Sequence, residues 1–224
     1  MNVVIDSGTM ITFSSTCLMN VFVRFARENR LELIVSHDVS EESVWRPLSN
    51  KRFALNAARI KHLFNESIVR VISATHEVKQ LEKEILSLAN NCFFSKGKPI
   101  QILQRGEAEA LALAKIHNAK ALFVDERTVR SLIENPSRLK QVLEKRQHKT
   151  VKADEKCIAD FRKMFSNLKI FRSVDIIALA FEQDLFNGEL DKGQLELEAA
   201  LYATKFAGCA VSEKEIQDYL KHLT

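Results

Sequence analysis

With 224 residues, 46% apolar and 28% charged side chains and a net charge of +4, the chain has the make-up of one globular domain whose mild basic excess tolerates a polyanionic partner without demanding one. Three prolines and six glycines argue against long disordered linkers; no pair among Cys17, Cys92, Cys157 and Cys209 has zinc-ligand spacing, and the chain is too large to depend on disulfide staples. No stretch approaches the roughly 18 unbroken apolar residues of a membrane helix, and the first residues lack the pattern of an export signal, so the expectation is a cytoplasmic protein with reduced thiols and no membrane partner.

In chain order, VVID at 3–6 is a β-branched run suited to a buried strand. A helical candidate follows around 11–27, and LELIV at 31–35 reads as a second strand. Helical candidates lie at 39–46 and 50–65. VRVIS at 69–73 fits a third strand or an extended connection. From about 76 to 90, Val78, Leu81, Ile85 and Leu88 recur at helical period. Residues 91–104 are weakly patterned. GEAEALALAKIHNAK, from 106, is rich in strong helix formers, and ALFVD at 121–125 is the next strand. A short helix over 127–134 stops near Pro136. LKIF at 168–171 is a late strand, and helices follow near 174–186, 191–205 and 212–222, the last with Ser212 and Glu215 at capping-box spacing.

Strands thus alternate with helices, which predicts an α/β fold: a three-layer sandwich with a mostly parallel central sheet. The whole of 1–224 reads as one domain, with C-terminal helices over about 174–222. The rhythm breaks over about 135–167. Between Arg138 and Lys163 nine Lys/Arg stand against four Asp/Glu, so this stretch is expected to be a basic helical insertion, an arm or lid beside the sheet. Its Lys145, Arg146 and Lys149, with Lys140 and Lys152, can meet phosphates or equally form a solvated face. Phe161 and Phe165 read as packing residues rather than a base-stacking platform.

In an open parallel sheet, ligands bind outside the carboxyl ends of the strands. Asp6 and Asp125 stand at two such ends. Neighbouring carboxylates there are unfavourable without a compensating cation, and hard divalent ions prefer carboxylate oxygens. Glu107, at the start of the helix before the Asp125 strand, is the inward candidate over Glu109. Glu42, just beyond the second strand, is a fourth, with Glu41 as the alternative register. Ser7 and Thr9 can hydrogen-bond a ligand, Gly8 leaves room for close approach, and Arg127 can pair with the acids or meet a phosphate. Such a site suits phosphodiester hydrolysis assisted by Mg²⁺ or Mn²⁺. No G-x-S-x-G, H-E-x-x-H, Walker P-loop or G-x-G-x-x-G motif offers another chemistry.

VVIDSGTMI, VSHDVSEESV, RGEAEALALAKIHNAKALFVDERTVR and LKIFRSVDIIALA together resemble the PIN-domain superfamily, over roughly 1–134 and 168–205. The resemblance implies a metal-dependent endoribonuclease whose metal-binding and catalytic acids are Asp6, Glu42, Glu107 and Asp125, with Ser7 or Thr9 as the small hydroxyl residue after the first acid. It also implies RNA as partner, frequent homodimers and, in toxin members, a small antitoxin-like protein. The insertion has no counterpart in compact toxins, and glutamate stands at the third acid, where aspartate is common. The alternatives are a PIN-like RNA- or protein-binding protein without efficient cleavage, and a phosphohydrolase for small phosphate esters.

Overall fold

The computed structural model describes residues 1–223. Chain order gives β1 (Asn2–Ile5), α1 (Ser7–Ser15), α2 (Met19–Glu28), β2 (Glu32–Ser36), α3 (His37–Ser40), a π-type turn (Glu41–Trp45), α4 (Arg46–Leu48), α5 (Ala54–Asn65), β3 (Val69–Ile72) and α6 (His76–Ala89). Then come β4 (Phe93–Ser95), β5 (Lys98–Pro99), α7 (Arg105–Ile116), β6 (Ala121–Phe123), α8 (Arg127–Glu134), α9 (Pro136–Gln147), β7 (Val151–Ala153), α10 (Glu155–Met164), β8 (Lys169–Phe171), α11 (Ser173–Glu182), α12 (Gln194–Phe206) and α13 (Glu213–Leu223).

Five strands form one parallel sheet in the order β3-β2-β1-β6-β8. Side chains alternate across a strand, and the two cores follow that alternation. Val3, Ile5, Leu33, Val35 and Phe123 enter one core with α1, α2, α5 and α11 to α13. Val4, Ile34, Leu122, Val124 and Ile170 enter the other with α6 to α10. A three-layer α/β sandwich is the result, as the alternation of strand and helix patterns predicts.

Two local differences have plain causes. The single helix expected over 11–27 is two, because Cys17 takes a left-handed backbone (φ 60°) that ends α1. The basic insertion is largely helical, in α9 and α10, as expected, but it also carries a strand. β7 pairs antiparallel with β4, and with β5 they form a small second sheet. Leu139, Leu143, Ile158, Phe161 and Phe165 are buried in the second core, so Phe161 and Phe165 pack as expected. The weakly patterned stretch 91–104 supplies the hairpin that makes this possible.

The sheet order places β1 between the β2–β3 side and the β6–β8 side. The chain reverses its direction of build there, and the crevice outside β1 and β6 is the topological switch point. Asp6 and Asp125 follow those two strands, and the Asp6 N–H donates to the Phe123 carbonyl at 2.9 Å.

Candidate active site

Asp6 is the N-cap of α1, with extended backbone, and accepts the Gly8 N–H at 3.2 Å. Burial is the main reason its carboxyl stands above the ordinary range. The N–H groups of Gly8 and Ser7 pull it down, and the Glu42 and Asp125 charges push it up. Gly8 sits between the two aspartates: a Cβ there would lie 3.3 Å from Asp6 Oδ2 and 3.9 Å from the Asp125 Cβ. Ser7, half-buried, begins α1 beside it.

Glu107 lies in the first turn of α7 and accepts the Gln104 N–H at 2.7 Å, closing the helix N-terminus. Burial pushes it up to about 7; the Gln104 N–H opposes this, and the Glu126 and Asp6 charges add to it. Glu42, exposed on the π-type turn, acts on Asp6. Glu41 faces His37 at 3.9 Å instead. Of the two glutamates, Glu42 is the one whose charge acts on Asp6.

Asp125 differs from the others. It is 4% exposed, and its Oδ1 accepts the Ser173 N–H at 2.7 Å, while Oδ2 accepts the Thr12 hydroxyl at 2.7 Å and the Ser173 hydroxyl at 2.8 Å. A carboxylate has about four acceptor positions, so three are taken. The Asp125 carbonyl also accepts the Ala210 N–H at 3.0 Å. The buried Cys209 thiol is pushed well above its ordinary range by burial and then by the Asp125 charge.

Thr9, expected to meet a ligand, is wholly buried with its hydroxyl unpaired. Thr12 is the threonine of α1 that reaches an acid. Arg127, half-buried, lies 3.9 Å from Glu215 on α13 rather than facing an open phosphate site. Glu126 caps α8, accepting from the N–H and hydroxyl of Thr128. Glu109 is buried and accepts the Ser36 hydroxyl at 3.0 Å, in a separate cluster with Glu82, which pairs with Arg105 at 2.8 Å. Lys145, Arg146 and Lys149 are exposed. Arg146 and Lys149 line a groove of ≈ 640 Å³ with Lys96 and Lys98 from the β4–β5 hairpin; Lys145 stands on α9 outside its lining. Gln101 on that groove is three residues from Gln104, so the chain can separate it from the α7 cap by at most about 11 Å.

Ser173 and Thr12 are the side-chain partners of Asp125. Ser173 carried one visible signal, its place just past a strand end, two residues after β8; Thr12, which sequence reasoning missed, had none beyond helical spacing. Behind Ser173 lies a buried ionic cluster. Arg172 bonds Asp175 at 3.3 Å, Glu215 at 3.0 Å and the Ala210 carbonyl at 2.9 Å. Arg130 bonds Asp175 at 3.0 Å, and Tyr219 donates to the same carboxylate. Burial pushes Glu215 up, but the hydroxyl and N–H of Ser212 with the Arg172 charge outweigh it and hold it at about 2.

Among the described residues, no three His, Cys, Asp or Glu side chains stand ready as a metal cage. The donor set nevertheless fits a hard cation. Asp6 and Glu107 carry oxygen donors only, and the charged neighbours that act most on them are all acids. Magnesium commonly takes one or two carboxylates and completes its shell with water and substrate phosphate.

Compared with protein-family models, with curated proteins and with solved structures, the chain finds no match. No helix among the described residues is long and apolar enough to cross a membrane.

Proposed function

We propose that the protein is a divalent-metal-dependent endoribonuclease of the PIN type, hydrolysing RNA phosphodiester bonds at the switch point between β1 and β6. The observation that carries this reading is that Asp6 and Asp125 follow the paired strands β1 and β6 with only Gly8 between them, while Glu42 acts on Asp6 and Asp6 on Glu107, with no positive charge among the strongest influences on Asp6 or Glu107. Such crowding favours a cation over bare carboxylates. Asp6, Glu42 and Glu107 are the residues that would hold Mg²⁺ or Mn²⁺. A bound ion of this kind supplies an activated water, an oriented phosphate and a steadied leaving oxygen.

The chain's own groups divide the remaining work. The Gly8 N–H fixes the Asp6 carboxylate at the helix cap. Glu107 is held by the α7 cap through one of its oxygens. Asp125, held by Thr12 and Ser173, contributes charge and orientation from beneath. Lys96, Lys98, Arg146 and Lys149 offer phosphate contacts along their groove. Within this reading a homodimer, an antitoxin-like protein partner and a cytoplasmic setting remain part of the proposal.

The second reading, RNA or protein binding without efficient cleavage, is favoured by one specific feature: the Asp125 carboxylate is nearly saturated by hydrogen bonds. Incubation of the purified protein with mixed RNA substrates in Mg²⁺, in Mn²⁺ and in chelator separates the two. The nuclease reading expects metal-dependent cleavage that Asp6→Asn abolishes. Absence of cleavage on every substrate, with RNA still bound, selects the binding reading.

A further inference from the structure

We propose that Trp45, with the cations around it, is a stacking site for a base of single-stranded RNA at the edge of the acidic cleft; the choice of RNA rests on the nuclease reading above. Trp45 is the only tryptophan of the chain and is 47% exposed, although the protein has two buried cores that could have taken it. It sits on the π-type turn that also carries Glu42. The turn is fixed from beneath: Ser43 and Val44 are buried, and the Ser43 hydroxyl donates to the Val39 carbonyl at 2.7 Å. Glu42 and Trp45, three residues apart, stay exposed on that fixed turn. The indole therefore rises from the same turn as an acid that acts on Asp6.

The surroundings of the ring are cationic. The Lys61 ammonium lies 5.3 Å from the indole centroid, and a second exposed aromatic, Phe53 at 46%, has the Arg52 guanidinium 5.4 Å from its centroid. Residues 45–61 hold five Lys/Arg and no Asp/Glu, and none of the five takes part in an ion pair between the described residues. Exposed aromatic faces joined to unpaired cations are the two components of single-strand recognition: bases stack on the rings while the cations follow the phosphates. A second copy of the chain fits the strip poorly. A two-fold interface sets a patch against itself, which would oppose these five cations to five more.

The sole tryptophan makes the site directly readable. In chelator, so that no RNA is cut, the full chain is titrated with a short single-stranded adenosine oligoribonucleotide and, separately, with an RNA duplex of equal length. Tryptophan emission and the anisotropy of labelled RNA are recorded together. Saturable quenching by the single strand, little by the duplex, is expected. Trp45→Ala weakens single-strand binding about five- to hundredfold, Trp45→Phe retains most of it, and Lys61→Ala weakens binding with the indole intact. Unchanged affinity in Trp45→Ala with no quenching in the parent overturns the proposal. So does a dimer by sedimentation that Trp45→Ala dissolves while RNA binding stays the same. Quenching without any cleavage in Mg²⁺ or Mn²⁺ counts against the nuclease reading and supports the stacking site; cleavage without quenching does the reverse.

Discussion

Glu107→Gln isolates the charge at the α7 N-terminus from its hydrogen bond, because the glutamine carbonyl can still accept the Gln104 N–H. In the metal-free protein the Glu107 carboxyl is raised from 4.5 to about 7. The folded state therefore holds its proton more tightly than the unfolded state does. Its contribution is fully favourable below about pH 4.5 and is lost as pH rises through 7. Two and a half pH units at about 1.4 kcal/mol each give an upper limit near 3.5 kcal/mol, and solvent around this half-buried side chain reduces the expected cost to about 1–2 kcal/mol at pH 8. Urea unfolding in chelator at pH 5 and pH 8 reads this difference. The parent is expected to lose stability between the two, and Glu107→Gln to lose less and to exceed the parent at pH 8 by about 1 kcal/mol. Mg²⁺ should then stabilise the parent at pH 8 more than the variant, since an ion that binds only the folded state adds its binding free energy to stability. A parent equally stable at both pH values, or a glutamine variant weaker at pH 8, refutes the account of Glu107 as an uncompensated acid.

Other consequences follow from the same geometry. Thr12→Val and Ser173→Ala each remove a donor from a buried carboxylate and are expected to cost about 1–3 kcal/mol in denaturant unfolding, with cleavage lowered in both. Glu215, held at about 2, lends stability that is present above its ordinary 4.5 and is lost as pH falls toward 2, so Glu215→Gln should melt below the parent at pH 7 and match it by about pH 2. Paired Arg146→Gln and Lys149→Gln changes should weaken RNA binding without altering the fold, and flatten the salt dependence of log K by about one per lost phosphate contact, measured by anisotropy across a salt series.

The layer architecture was legible because its signals are local. Alternating apolar runs in VVID, LELIV and ALFVD, separated by helix-forming segments, fixed the sheet and its two helical faces, and the strand-ending aspartates fell at the switch point. Non-local pairings were not legible. Nothing in residues 91–104 announces that Phe93 to Ser95 will pair with Val151 to Ala153, so the basic stretch passed for an arm. Thr9 and Thr12 differ by three residues on one helix, and periodicity alone does not say which hydroxyl will find Asp125. The exposure of Trp45 was equally hidden, because an aromatic residue beside Val44 reads as core until the turn that lifts it out is known.

The four acids are not equivalent, and this changes what their substitution can mean. Asp125 binds Thr12 of α1 and Ser173 of α11 through its side chain and Ala210 through its carbonyl. It joins three elements behind the cleft, and the Arg172 cluster continues that junction to α13. Asp125→Asn replaces an oxygen that accepts hydrogen bonds by a donor, so loss of cleavage in that protein reports disturbed packing as readily as lost chemistry. Asp6 has only backbone N–H groups of its own helix cap among the groups that favour its charge, and Asn is a good cap. Asp6→Asn therefore removes negative charge while keeping α1 in place. If Asp6→Asn folds with parental stability and is inactive while Asp125→Asn is both inactive and destabilised, the outer acids carry the chemistry and Asp125 carries the frame. Full activity in a stable Asp6→Asn protein removes the cleft from consideration as the site of hydrolysis.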